Sequence, residues 1–165
     1  MMTRLERFKT AQKSPGSGFD TALAEIRAGR KRSHWIWYIF PQLAGLGTSA
    51  ASRSFAIEGE DEAEEYLRDP LLRARLLEIT AAAAGQLQDG TTPLAELMGS
   101  EIDAQKLVSS MTLFGIVARK LHGIEGLDEY EALADVADQV LTVAASQGYP
   151  ACAITRRVLG QMGMR

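Results

Sequence analysis

The sequence predicts an all-α fold: a compact single-domain array of about six to eight helices with no sheet of consequence. Two segments, residues 103–121 and 128–146, keep apolar residues on one face at helical spacing throughout. Strand-like sequence is confined to residues 35–40, and a lone strand cannot make a sheet. At 165 residues, with 46% hydrophobic and 24% charged residues, the chain has the size and composition of one globular domain covering residues 1–165.

The shorter helices are predicted from apolar spacing and from the residues that begin or stop a helix. Gly29 is a helix stop, Pro70 suits a first helical position, and Lys13–Gly18 and residues 41–49 have loop composition. Residues 35–40 are either a buried helical turn or an extended core segment, and the sequence leaves both open. The predicted shorter helices cover residues 5–12, 19–28, 60–67, 70–83 and 150–159.

Charge is distributed unevenly along the chain. Residues 1–53 carry nine Lys and Arg against three Asp and Glu, whereas the remainder carries nine against eighteen. A basic end can bind an acidic protein or a nucleic acid. The net charge of −3 and a pI near 5.5 make nucleic acid the weakest of these partner classes.

Localisation is predicted from what the sequence lacks. The single cysteine, Cys152, excludes an internal disulfide, and residues 1–6 do not begin a signal peptide. The charge-free run at residues 107–118 is too short to cross a bilayer, which takes about 20 residues. We therefore expect a cytoplasmic protein that does not associate with a membrane.

The first candidate site region is residues 29–42, which hold both tryptophans and a three-residue basic run. The cations could neutralise a phosphate or a carboxylate, and an amide could add a hydrogen bond. His34 stands between the basic run and the apolar residues, where a half-buried imidazole can carry a proton. A solvated loop followed by core aromatics is the alternative, and the sequence leaves it open. The candidate ligand-binding residues here are Arg30, Lys31, Arg32, Ser33, His34, Trp37 and Gln42.

The second candidate region lies on the predicted helix 103–121. Asp103, Lys106 and Ser110 share one stripe of this helix, and Ser109 interrupts its apolar sequence. An Asp–Lys pair beside a serine resembles an activated nucleophile, but neither Ser-x-x-Lys nor Gly-x-Ser-x-Gly occurs at these positions. The alternative is an Asp103–Lys106 ion pair on the surface, with serines bonding back to the preceding helical turn.

Other motifs are excluded by their context. The Gly-x-Gly-x-x-Ala match at residues 45–50 does not follow a parallel strand, so it is no dinucleotide-binding fingerprint. One cysteine and two distant histidines exclude a standard structural zinc site, and there is no phosphate-binding P-loop. Cys152 has no sequence neighbour that would lower its pKa, which favours a packed thiol. We predict neither a metal nor a cofactor, and whether the chain is an enzyme is left open.

Two blocks of this sequence, GRKRSHWIWYIFPQ at residues 29–42 and DAQKLVSSMTLF at residues 103–114, resemble the domain of unknown function 1810 family. The likeness extends over nearly the whole chain. It implies a compact, mainly helical domain and no established activity. Some relatives are labelled calpastatin-like, but nothing in these residues supports a protease-inhibitor role. Cys152 stands where the resemblance leads us to expect an acidic residue.

Together these observations predict that the two candidate regions converge on one polar cleft. The main hypothesis is that the cleft binds a small anionic or phosphorylated metabolite. The alternative is a protein-interaction module that docks an acidic partner and binds no small ligand.

Overall fold

The computed structural model describes residues 3–163, and side chains through residue 160. Within these residues there is no strand, and the only β-type pairing is an isolated parallel bridge between Leu43 and Ile57. No helix there is both long enough and apolar enough to cross a bilayer. The ten helices of this described part are α1 (Glu6–Gln12), α2 (Phe19–Arg27), α3 (Ile36–Ile39), α4 (Ala50–Ser54), α5 (Glu60–Arg68), α6 (Pro70–Leu87), α7 (Leu94–Met98), α8 (Glu101–Glu125), α9 (Asp128–Ser146) and α10 (Ala153–Gly163).

The all-α prediction is confirmed, but the predicted number of about six to eight helices is wrong. The helices that the sequence did not assign are α3, α4 and α7, which have four or five residues each. A helix of about one turn cannot repeat an apolar stripe, so its periodicity gives no signal. The strand-like residues 35–40 form the helical turn α3 and its two flanking residues.

Helix α8 lies at the centre of the fold and has the most extensive buried face. It packs along α9 in a helical hairpin and also contacts α5, α7, α10 and α3. Gly126 ends α8 with a φ of 71°, and its N–H donates to the carbonyl of His122. The predicted apolar face of this helix is confirmed, because Ala104, Leu107, Val108, Met111, Phe114, Ala118 and Leu121 are all buried.

Helix α6 begins as its sequence predicts. Asp69 precedes it as the N-cap, and the carboxylate accepts hydrogen bonds from the N–H groups of Leu71 and Leu72 at 3.0 Å. Pro70 occupies the first turn, where its missing N–H leaves no helical hydrogen bond unmade. The helix then packs against α9 on one side and α2 on another.

The chain between α2 and α3 reaches the core by docking on the junction of α7 and α8. The N–H of Lys31 donates to the carbonyl of Leu97 at 2.7 Å. Gly99 ends α7 with a φ of 83°, and a Cβ placed there would lie 2.9 Å from the Lys31 carbonyl oxygen. Both the backbone conformation and the close approach require glycine at this position.

We expect Gly99→Ala to lower the free energy of unfolding by about 1–3 kcal/mol, because the new methyl group adds a backbone clash to an unfavourable left-handed conformation. Urea unfolding followed by far-UV circular dichroism measures this loss. Gly90→Ala is the matched control, since Gly90 also has positive φ (75°) but no atom within 4 Å of the added Cβ. Equal losses in the two variants would contradict the role of the contact with Lys31.

Candidate functional site

The two candidate regions contact each other at two points along α8. The ammonium of Lys31 lies 2.9 Å from the Asp103 carboxylate, in an ion pair with little solvent exposure. One turn along α8, the ammonium of Lys106 lies 5.3 Å from the centroid of the Trp37 ring. Residues far apart in sequence are therefore adjacent on one side of α8.

Lys31 is held inside this contact and is not available to a ligand. Its ammonium donates to the carbonyl of Ser33 at 2.6 Å, pairs with Asp103 and lies 5.0 Å from the centre of a Trp35 ring. The sequence offered an ion pair between Asp103 and Lys106, but the partner of Asp103 is Lys31. Helical spacing allows Asp103 to pair with Lys106 at i,i+3. The segment between α2 and α3, which docks on α8, brings the ammonium of Lys31 to the Asp103 carboxylate instead.

Glu25 organises the chain around this buried lysine, although it was not among the residues predicted from sequence. Its carboxylate accepts four hydrogen bonds at 2.5–2.9 Å. The donors are the backbone N–H groups of Arg32 and Ser33, the Ser33 hydroxyl and the Trp35 indole N–H. Burial raises the pKa of Glu25, but these hydrogen bonds outweigh it and hold the pKa at about 2. The one sequence signal is Gly29, because the chain must reverse there to bring residues 32–35 back to α2.

A narrow cleft lies between α3 and α8, where the second contact forms. It leaves about 10 Å³ of free space, close to the least that can hold one water molecule. The indole N–H of Trp37 is buried and has no hydrogen-bond partner within residues 3–163. Among the same residues, no carboxylate pairs with the ammonium of Lys106. The cleft is lined by Ile36, Trp37, Phe40, Gln42, Ser52, Phe55 and Lys106.

Ser110 lies one turn beyond Lys106 on the same side of α8. It is fully buried, and its hydroxyl has no partner in the described part of the chain. The hydroxyl of Thr112 donates a hydrogen bond to the carbonyl of Val108, one helical turn earlier, at 2.8 Å. This is the local hydrogen bond that the sequence suggested as an alternative for the serines. Ser110 is thus a buried polar group that lacks its local hydrogen bond.

Ser109 faces a different neighbour and does not line the cleft. It lines an open cavity of about 320 Å³ together with Gln105, Tyr149 and Cys152. Burial raises the pKa of the Cys152 thiol, but hydrogen bonds from Thr155 and Ser109 lower it below its usual value. The prediction that no sequence neighbour lowers this pKa is therefore wrong, because Thr155 lies only three residues along the chain and Ser109 adds a tertiary contact.

The remaining predicted residues lie at the surface. Arg30 and Arg32 are exposed, and neither makes an ion pair within the described residues. His34 is also exposed, and only its backbone carbonyl is engaged, by the Tyr38 hydroxyl at 3.2 Å. The imidazole is therefore at the surface and not at a half-buried boundary.

The described residues contain no group of three His, Cys, Asp or Glu side chains that could hold a metal ion. The cleft offers a different set of groups: one ammonium, one indole N–H and the Gln42 amide. These groups donate hydrogen bonds, and the first carries positive charge. Such donors can hydrogen-bond an anion, and the free space between them is that of about one water molecule.

Comparison with known proteins places the chain among uncharacterised relatives. Residues 2–139 match the family model described as "Protein of unknown function (DUF1810)". The chain is also similar to the crystal structure of the conserved hypothetical protein Rv1873 from Mycobacterium tuberculosis, with 33% sequence identity and a TM-score of 0.70. That similarity covers 94% of this chain and 96% of the other. A search of the curated proteins finds no match.

Proposed function

We propose that this chain, which belongs to the DUF1810 family, binds a small anionic metabolite at Lys106 and Trp37, and that the cleft between α3 and α8 widens to admit it beyond the single water molecule for which it now has room. One observation carries the proposal: Lys106 and Trp37 line the same cleft, and neither the ammonium nor the buried indole N–H has an acceptor among the described residues. Leaving a buried donor without a hydrogen bond costs about 1–3 kcal/mol. A bound anion would accept from both groups and offset that cost.

The other predicted residues support this binding indirectly. The Lys31–Asp103 ion pair fixes the chain before α3 against α8, which keeps the Trp37 ring beside Lys106. Arg30 and Arg32 follow α2 on the surface, where their positive charge attracts anions towards this part of the molecule. In this proposal Lys106 is the cation that contacts the ligand.

The proposal predicts that Lys106→Gln abolishes stabilisation by the ligand, because no other cation lines the cleft. A thermal-shift screen of small anionic metabolites should find compounds that stabilise the wild-type chain. At a ligand concentration 100 times Kd, the stabilisation is about 2.7 kcal/mol.

Lys120→Gln is the matched control for this experiment. Lys120 also lies on α8, but its ammonium is paired with Glu60 and Glu64 at 3.2 and 2.9 Å. The control should respond to the ligand as the wild type does. A wild type that no anion stabilises, or a Lys106→Gln variant with an unchanged response, would exclude this function.

A second candidate function is docking of an acidic protein, and the exposed arginines favour it. Arg30 and Arg32 have no ion-pair partner among the described residues, so their charge is free to meet a partner's carboxylates. In that case the double variant Arg30→Gln/Arg32→Gln should weaken a salt-sensitive protein complex, while Lys106→Gln leaves it unchanged. Surface plasmon resonance at two salt concentrations distinguishes the two functions.

A further inference from the structure

We infer that a second cavity, which the Lys13–Gly18 loop forms with the start of α2 and with Arg75 of α6, binds the phosphate group of a small phosphorylated compound. This site is separate from the cleft between α3 and α8, since the two share no lining residue. The inference therefore does not depend on the proposed function. It is carried by the space in the cavity, by the way Arg75 is held there and by the charges of the lining.

The cavity has room for such a ligand without any movement of the fold. It is open to solvent, and its volume of about 390 Å³ lies within the range of about 300–1,000 Å³ that is typical of small-ligand sites. A polar ligand suits the lining better than an apolar one, because most of the lining side chains are polar. These polar side chains belong to Gln12, Lys13, Ser14, Asp20, Thr21 and Arg75.

A buried amide holds Arg75 at the wall of this cavity. The guanidinium donates through Nη1 to Oε1 of Gln12 at 3.1 Å. Gln12 is 4% exposed, and its own amide nitrogen donates to the Tyr38 carbonyl at 2.9 Å and to the Tyr66 hydroxyl at 3.3 Å. Gln12 is thus fixed by the core and fixes Arg75 in turn. Part of the entropy cost of ordering a long side chain is therefore met before a ligand binds.

Most donors of Arg75 are left for a ligand. A guanidinium carries several N–H donors, and within the described residues the one acceptor that it meets is Gln12. No carboxylate there pairs with Arg75, whereas Arg73 on the same helix pairs with Glu129 at 3.0 Å. The Phe19 ring, whose centre is 5.5 Å from the guanidinium carbon, leaves the N–H edges of the group uncovered. Two parallel N–H groups of an arginine bind two phosphate oxygens at once.

The charges of the lining favour a phosphate over a carboxylate. Lys13 is exposed and makes no ion pair in the described part of the chain, so two cations face the single acid of the lining, Asp20. A phosphate monoester carries a charge of about −1.5 to −2 at pH 7 and three terminal oxygens, whereas a carboxylate carries a single charge and two oxygens. The additional oxygen can accept from the hydroxyl of Ser14 or Thr21, which also line the cavity.

A close backbone approach at Gly18 fixes the loop that walls the cavity. A Cβ on Gly18 would lie 2.5 Å from the carbonyl oxygen of Gln12 and 2.7 Å from that of Ser14. Only glycine permits this approach, so the loop closes back onto the end of α1. The cavity wall is therefore formed before a ligand arrives.

The test compares glycerol 3-phosphate with glycerate, which join similar hydroxyl-bearing groups to different anions. The readout is the backbone N–H resonances of Gly16 and Gly18 in a ¹⁵N–¹H correlation spectrum. Glycerol 3-phosphate should shift both resonances and bind at least about tenfold more tightly than glycerate, as expected for a doubly charged group on an arginine. Inorganic phosphate should bind more weakly than the ester, because it fills less of the cavity.

Variants identify the groups that bind. Arg75→Gln should weaken binding of glycerol 3-phosphate at least about tenfold, and Arg75→Lys, which keeps the charge without the paired N–H groups, should weaken it less. Asp20→Asn should strengthen binding about threefold, because it removes a like charge from the lining. A purely structural role of the loop would not produce this gain. Arg53→Gln is the matched control and should bind as the wild type does, since Arg53 is exposed and does not line the cavity.

The outcomes that would overturn the inference are distinct from those that bear on the proposed function. Unshifted loop resonances, or unchanged binding in Arg75→Gln, would exclude a phosphate site in this cavity and leave the proposed function standing. Lys106→Gln should not change the affinity measured at Gly16 and Gly18. Loss of glycerol 3-phosphate binding in Lys106→Gln would instead assign the phosphate to the cleft between α3 and α8. Equal affinities for inorganic phosphate and the ester would overturn the assignment to a phosphorylated compound.

Discussion

Replacing Lys31 by methionine is expected to lower the free energy of unfolding by about 3–5 kcal/mol, the usual cost of removing one partner from a buried ion pair. The Lys31 side chain is 6% exposed and that of Asp103 is 18% exposed, so water cannot replace the lost charge freely. The variant also loses the hydrogen bond to the Ser33 carbonyl and the contact with the Trp35 ring. Chemical denaturation at pH 7 measures the loss.

A double-mutant cycle shows whether the ion pair itself causes the loss. Asp103→Asn removes the other charge, and we expect the double variant Lys31→Met/Asp103→Asn to be more stable than the sum of the two single losses predicts. Lys13→Met is the matched control, because Lys13 is exposed and makes no ion pair among the described residues, and it should change stability by less than about 0.5 kcal/mol. Additive losses in the cycle would contradict coupling between Lys31 and Asp103.

The same variant should also impair the cleft. The chain from Lys31 to α3 is anchored to α8 by this ion pair, and α3 carries the Trp37 ring that lies beside Lys106. If this ion pair is lost, the Trp37 indole and the Lys106 ammonium are no longer held close enough together to contact the same anion. The anion binding proposed at Lys106 should therefore weaken in Lys31→Met, although Lys31 is not among the residues that line the cleft.

Replacing Glu25 by glutamine is expected to cost about 2 kcal/mol at pH 7. The shift of its pKa from 4.5 to about 2 corresponds to about 3 kcal/mol, and partial exposure to solvent reduces the contribution that survives screening. The amide keeps one acceptor oxygen but introduces an N–H₂ group facing the donors of residues 32–35. Thermal or urea unfolding at pH 7 measures this difference.

The pH dependence tests the cause of that stabilisation. Because the folded pKa of Glu25 lies below the unfolded value, its stabilisation is complete above pH 4.5 and is lost as the pH falls from 4.5 through about 2. The stability difference between wild type and Glu25→Gln should shrink over this window. Glu78→Gln is the control, because Glu78 is half exposed and forms a surface ion pair with Arg27. A constant difference from pH 7 to pH 2.5 would show that ionisation of Glu25 is not the cause.

The site could be predicted from sequence only in part. Trp37, Lys106 and Gln42 were identified as candidates and line one cleft. Ser109 was grouped with Ser110, but the two neighbours lie about 100° apart around α8, and Ser109 lines the cavity beside Cys152. A stripe on a helix shows which residues share a face, and only the packing of other elements decides what that face meets.

The sequence by itself determined the long helices, because their signals are local. The apolar stripes of α8 and α9, the Pro70 start of α6 and the Gly29 stop after α2 each depend on residues within a few turns. The confirmed helical class and the family resemblance depend on the same continuous blocks.

Only the tertiary structure decided which polar groups become partners. Glu25 organises residues 32–35, and Lys31 displaces Lys106 as the partner of Asp103, because the chain reverses after α2 and docks on the α7–α8 junction. Electrostatic and hydrogen-bond partners are set by distance in space and by burial. Neither quantity is a property of sequence spacing, so it is the packed fold that engages Lys31 internally and places Lys106 beside Trp37.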